Sequence, residues 1–191
     1  LMIRLVLVLG DQLSDDLSAL RAADPARDVV VMAEVSDEGT YVSHHPKKIA
    51  LVLAAMRKFA AHLEAEGWRV AYTRLDDKDN AGSIVGELLR RAEEFGAGEV
   101  LATTPGEWRL IRALKYAPLK VHLHADERFF ATRKDFADWA EGRKQLRMEY
   151  FYRLMRKKTG LLMEGTSPVG GQWNFDQDNR KAPPKKIEHE G

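Results

Sequence analysis

The chain of 191 residues contains no cysteine. That excludes disulfides, a thiol nucleophile and iron–sulfur ligation by its own side chains. Net charge is nearly absent too: 30 Lys and Arg stand against 29 Asp and Glu. Composition alone therefore calls for neither nucleic acid nor a membrane surface. No apolar run is long enough to span a bilayer, and no secretory leader precedes the first strand-like run at Ile3–Leu9. The expectation is a soluble, cytoplasmic protein. Phosphate-binding signatures are missing as well. The stretch "LGDQLS" has one glycine and matches neither G-x-G-x-x-G nor a P-loop, and no G-x-S-x-G elbow occurs.

What is present is an ordinary globular composition, 45% hydrophobic and 31% charged, with enough apolar residues for a core. The length suits one α/β domain and an appendage. Strand-like runs at Ile3–Leu9, Val29–Val35, Trp68–Thr73, Glu99–Thr103 and Lys120–His124 alternate with helix-like ones. The helices are expected at Ser14–Ala22, Pro46–Glu66, Ser83–Phe95 and Glu107–Tyr116. In the longest, apolar residues recur at Ile49, Leu53, Met56, Phe59 and Leu63, Pro46 suits its first turn and Gly67 ends it. Strands alternating with crossover helices imply a parallel sheet covered on both faces. The fold class is α/β, a Rossmann-like, doubly wound, five-stranded sheet.

That domain is expected over residues 1–125, followed by a helical extension over 126–160 with helices at Arg133–Trp139 and Gln145–Lys157. A connector over 161–191 reads as irregular. It carries Leu161, Leu162, Met163, Val169, Trp173 and Phe175, which is costly if all of it faces water. It either folds back or leads to a partner.

Ligands of open α/β sheets sit at the carboxyl ends of the strands. The first strand delivers Gly10, Asp11 and Gln12 there; the second delivers Glu34 and leads to Glu38, Tyr41, His44 and His45; the fourth leads to Glu107, Trp108 and Arg109. The adjacent histidines lack the i, i+4 spacing of a helical metal pair. They read as a helix-start feature or as solvent-facing, with room for one in the cleft. Asp76, Asp77 and Asp79 read as a solvated loop. Glu34, at a buried strand end, needs partners; either backbone donors satisfy it or it waits for a ligand. Trp68 and Trp108 read as core. The basic residues from Arg143 to Lys158, interleaved with Tyr150, Phe151 and Tyr152, read as a packing surface. A cleft without a catalytic constellation suggests binding without chemistry. Two alternatives stay open: a standalone nucleotide-binding enzyme using Glu34 or Glu107 as base, and a protein- or DNA-docking module working through Gln145–Lys158.

Six stretches in register then carry a resemblance: "LVLGDQLS", "YVSHHPKKIALVLAAMRKFA", "RVAYTRLDD…NAGS", "TTPGEWR", "MEYFYRLMRKKTGLLMEG" and "PVGGQWNFDQDNRK". Together they resemble the N-terminal part of the deoxyribodipyrimidine photolyase-related proteins, the bacterial iron–sulfur (6-4) photolyases and cryptochromes. The resemblance implies an antenna domain holding 6,7-dimethyl-8-ribityllumazine. The parent would pass excitation to FAD in a helical C-terminal domain, which also holds a 4Fe–4S cluster and meets DNA. By motif, the antenna pocket would comprise Gly10, Asp11, Gln12, Met32, Glu34, Glu38, Tyr41, Val52 and Glu107. Met32 and Val52 would cover the ring faces. The family carries larger side chains around Leu51 and Val52, where this chain departs from it. No catalytic residue is expected in this domain. Its implied partners are the rest of the parent protein and, through it, DNA; the 161–191 segment could also pair two copies artificially, while no membrane is implied.

Overall fold

The computed structural model describes residues 2–40 and 42–176. It divides into two compact units, one up to Phe129 and one from Phe130 onward.

The first unit is built on five parallel strands: β1 (Arg4–Leu7), β2 (Val29–Ala33), β3 (Arg69–Thr73), β4 (Glu99–Thr103) and β5 (Lys120–His124). Their order is β3-β2-β1-β4-β5, the doubly wound arrangement expected from the alternation. β1 lies in the middle, pairing Leu5 with Val29 on one side and with Val100 on the other. Two apolar layers cover the sheet. Leu5, Leu7, Val29, Val31, Leu88 and Leu114 belong to one; Val6, Val8, Val30, Met32, Met56 and Leu63 belong to the other. Alternate residues of β1 and β2 thus point to opposite faces, both buried, which is why these strands read as unbroken apolar runs.

The helices follow their start and stop signals. The long α3 (Pro46–Ala65) has Pro46 at its start and His45 as N-cap, its ring accepting from the Lys47 N–H. Upstream lie α1 (Ser18–Arg21) and α2 (Ser36–Thr40). α4 (Ile84–Phe95) is capped by Ser83, which accepts from the Gly86 N–H, and ends at Gly96 in the left-handed region. α5 (Trp108–Lys115) follows Glu107.

Two expectations need correction, and one element is new. The helix foreseen over Ser14–Ala22 shrinks to α1, because Ser14 Oγ accepts from the Asp16 N–H and holds the preceding residues in a turn. α2 went unforeseen, having no apolar periodicity to announce it. Trp108 is not core: it is 62% exposed.

The second unit contains α6 (Arg133–Ala140) and α7 (Met148–Thr159). Thr132 and Asp135 form a reciprocal capping box at the start of α6. Trp139, Phe136 and Phe151 pack together, the two phenyl rings edge-on at 5.3 Å between centroids. The segment after α7 is more ordered than its irregular reading. Met163–Glu164 pairs antiparallel with Ser167–Pro168 across a turn in which Gly165 has φ +60°. Arg153, Arg156 and Lys157 approach the Trp173 ring within 5.3–5.5 Å. Arg156 is buried and donates to the Leu162 carbonyl. The described part of the tail therefore folds back on α7. No helix among the described residues is long and apolar enough to cross a membrane.

Candidate functional site

In this strand order the connections leaving β1 and β4 diverge, one towards β2 and the other towards β5. A crevice opens where neighbouring strands part company in this way. A cavity of about 410 Å³ lies there, within the ~300–1,000 Å³ range of small-molecule sites.

Its walls come mainly from four places, with Leu75, Ile84 and Leu110 adding to them. Leu9, Gly10 and Asp11 follow β1; Glu34, Val35, Ser36, Glu38, Gly39 and Thr40 follow β2; Pro105, Gly106 and Glu107 follow β4; and Ile49, Val52, Leu53 and Met56 descend from α3. Gly10 is required by a close approach. A Cβ there would meet Met56 Sδ at 2.9 Å and Val52 Cγ1 at 3.3 Å, so glycine lets the first loop press against α3. On α3 itself, Met56, Ala60 and Leu63 are buried, whereas Ile49, Val52 and Leu53, nearer its start, are only partly covered. The apolar stripe outruns the sheet, and its surplus roofs the cavity.

Of the nine residues expected to form the pocket, six line this cavity: Gly10, Asp11, Glu34, Glu38, Val52 and Glu107. Gln12 and Met32 do not. Gln12 is fully buried and its Nε2 donates to the Thr103 carbonyl at 3.2 Å, tying the loop after β1 to the end of β4. Its Oε1 finds no partner among the described residues. Met32 is fully buried in the core layer beneath α3. It shares a face of β2 with Glu34 but sits two residues, ~7 Å, deeper. Tyr41 lies outside the described residues.

Glu34 is a satisfied carboxylate. Its side chain is fully buried. Arg57 Nε donates to Oε1 at 2.6 Å and Nη2 to Oε2 at 2.8 Å; the Tyr72 hydroxyl and the Leu75 N–H donate at 2.7 and 3.0 Å. Burial alone would raise its pKa. The bonds from Arg57, Tyr72 and Leu75 outweigh that and bring it down to about 2. Tyr72 moves the other way, raised by burial and by donating to Glu34. Arg57 is raised by its bond to Glu34. A carboxylate held this firmly is a poor base at neutral pH.

At the mouth, Arg109 Nη2 donates to both oxygens of Glu38, at 3.0 and 2.9 Å, and to Glu107 Oε2 at 3.1 Å. This bond set joins α2 to the start of α5. The Asp11 carboxylate has no hydrogen-bond partner among the described residues, although the Arg128 guanidinium holds its carbonyl at 2.8 Å. His44 and Lys48 line the opposite side, Lys48 Nζ lying 3.4 Å from His44 Nδ1. One of the adjacent histidines thus caps α3 and the other faces the cavity.

Ser36 and Thr40 bring hydroxyls to the wall, yet both donate to backbone carbonyls, those of Gly82 and Ser36, and neither is set against a base. Among the described residues no group of three or more His, Asp or Glu side chains could hold a metal ion. The arrangement combines apolar walls with hydrogen-bond acceptors at the rim. It can grip a flat ring by its faces and a polyol by its hydroxyls.

Lining residues that escape sequence reasoning include Ile49, Leu53 and Met56 of α3, the loop residues Pro105 and Gly106, and Leu75, Ile84 and Leu110. The α3 residues read from sequence only as the apolar stripe of a helix; a stripe longer than the sheet it covers is the signal that part of it lines a cavity.

A family model described as deoxyribodipyrimidine photo-lyase-related protein matches residues 6–190. A (6-4) photolyase of Agrobacterium fabrum is 50% identical over 184 residues, covering 94% of this chain and 36% of that protein. The chain therefore spans about a third of that relative's length. An uncharacterized protein of Acanthamoeba polyphaga mimivirus is 24% identical over 84% of this chain and 85% of its own length. Among solved structures, a universal stress protein family member from Burkholderia pseudomallei aligns at a TM-score of 0.36 and 19% identity, over 64% of this chain and 94% of that one. That likeness is too loose to inform function.

Proposed function

The chain belongs to the deoxyribodipyrimidine photo-lyase-related protein family, and from that premise we propose that its first unit binds the antenna chromophore of a light-driven DNA-repair or signalling flavoprotein. The observation that carries this reading is the cavity at the divergence of β1 and β4, which has apolar walls and an acceptor-rich rim. The ligand we propose is 6,7-dimethyl-8-ribityllumazine.

The residues present fit such a group. Val52 and Ile49 on α3 would cover ring faces. Asp11 and Glu38 would accept from the ring N–H and the ribityl hydroxyls. Glu34 would keep the floor rigid, since all its bonds are already made. When bound, the chromophore supplies light absorption and excitation transfer. The chain's own residues orient it and exclude water. FAD, the 4Fe–4S cluster and the contact with DNA belong, in this proposal, to the remainder of a longer protein. The chain has no cysteine for a cluster and covers 36% of its Agrobacterium relative.

A ligand of about 23 non-hydrogen atoms at ~0.3 kcal/mol per atom would bind with about 7 kcal/mol, a micromolar affinity. The test is a fluorescence titration with the lumazine, using riboflavin and ATP as controls. Saturable, micromolar binding of the lumazine supports the proposal. Binding of ATP alone would favour a nucleotide-binding enzyme on the same fold, and binding of none would remove the antenna reading from this unit.

A further inference from the structure

The charges around the cavity bear on which ligands it takes. Resting on the reading above and deepening it, we infer that the site admits an uncharged, polyol-bearing heteroaromatic and turns away its phosphorylated form. Four carboxylates line the cavity, those of Asp11, Glu34, Glu38 and Glu107, against one lysine, Lys48. Two further cations stand behind them and are already engaged: Arg57 grips Glu34, and Arg109 is shared by Glu38 and Glu107. Counting Lys48 as well, four negative charges face three positive ones. Asp11 is the carboxylate with no ion pair among the described residues; Arg128, which holds its carbonyl, is paired with Asp126.

Phosphates bound to α/β folds usually rest on helix N-termini, whose first N–H groups point outward. The starts of α3 and α4 have N–H groups already engaged, and that of α5 stands next to an anion. In α3 the first residue is Pro46, which has no N–H, and the Lys47 N–H is taken by the His45 ring. In α4 the Gly86 N–H is taken by Ser83, and the carboxylate of Glu87 occupies the Ala81 N–H at 2.7 Å. α5 begins behind Glu107, itself an anion and part of the cavity wall. In the loop after β1, the Gln12 N–H already donates to the Leu9 carbonyl at 2.9 Å. A phosphate monoester brings about −1.5 to −2 charges at neutral pH. Beside these carboxylates it would meet repulsion, strengthened wherever the walls exclude water. A ribityl hydroxyl meets acceptors instead.

The test compares 6,7-dimethyl-8-ribityllumazine with its 5′-phosphate ester on the wild-type chain and on Asp11→Asn. Asp11 is exposed, so its replacement leaves the fold within ~0.5 kcal/mol, which a thermal melt checks. The expected result is that the ester binds at least about tenfold more weakly, and that Asp11→Asn or added salt narrows the gap severalfold. Equal or tighter binding of the ester, with the lumazine bound, overturns the selectivity and leaves the antenna proposal standing. Failure of both compounds to bind overturns the two together.

Discussion

The cavity of the first unit and the groove of the second make an instructive pair. The groove is the larger, about 990 Å³ against about 410 Å³, but its walls are α6 and α7 side chains such as Asp135, Asp138, Arg153 and Lys158, several of which pair with one another or with close neighbours. Lys158 binds Asp135 at 2.5 Å, Lys134 binds Asp138 at 2.6 Å, and Arg153 binds Glu149. The cavity is smaller and backed by aliphatic side chains, with a rigid carboxylate floor and one carboxylate, Asp11, that has no ion pair among the described residues. Volume is thus a poor guide to a site. Apolar depth with unspent acceptors at the rim is the better one.

The contrast breaks if changes to the groove alter ligand binding or changes to the cavity do not. The largest effect expected is that of Phe151→Ala. It removes a ring packed on Phe136 and Trp139 and costs about 3–4 kcal/mol of second-unit stability in urea unfolding, while lumazine affinity stays unchanged. Next is Glu34→Ala, which strips Arg57 and Tyr72 of their shared acceptor and costs about 2–3 kcal/mol, with affinity falling as the floor loosens. Acid sharpens this case. The folded-state pKa of Glu34 lies below its ordinary 4.5, at about 2. Its contribution is therefore complete above pH 4.5 and lost as pH falls from there through about 2. Urea unfolding between pH 6 and ~2.5 should show that loss in wild type and a shallower one in Glu34→Gln.

A smaller effect is expected from Arg109→Ala. The arginine is partly exposed, so its ion pairs contribute ~1 kcal/mol or less to stability. Its removal leaves Glu38 and Glu107 facing the cavity without their common cation, and discrimination against a phosphate ester should widen. Least of all, Trp108→Ala should leave stability within ~0.5 kcal/mol and binding unaltered, because the ring is exposed and lines no part of the cavity.

Most of the sheet could be read from residues alone. β1 and β2 are unbroken β-branched and Leu runs, and α3 and α4 carry their caps in His45–Pro46 and Ser83. The failures have local causes. Ser14 diverts the backbone that precedes α1, α2 is too short for a period to show, and the strand pair at 163–168 has two residues on each side. Topology anticipated the three loops that line the cavity, since strand ends are where chains of this class leave the sheet. What it could not place were side chains whose role depends on tertiary neighbours. Gln12 turns inward to the Thr103 carbonyl. Met32 lies one alternation too deep. Glu34 is satisfied by Arg57, a residue 23 positions away on α3, and no local pattern announces that pairing.

The central claim is that the cavity, and no other surface of this chain, is the ligand site. The most direct measurement is a calorimetric titration of 6,7-dimethyl-8-ribityllumazine into three proteins: wild type, Val52→Trp, which fills the cavity from α3, and Trp173→Ala, which removes the ring stacked on α7. Micromolar binding to wild type and Trp173→Ala, lost in a folded Val52→Trp, is the result the account predicts. Binding that survives Val52→Trp, or is lost with Trp173, would contradict it.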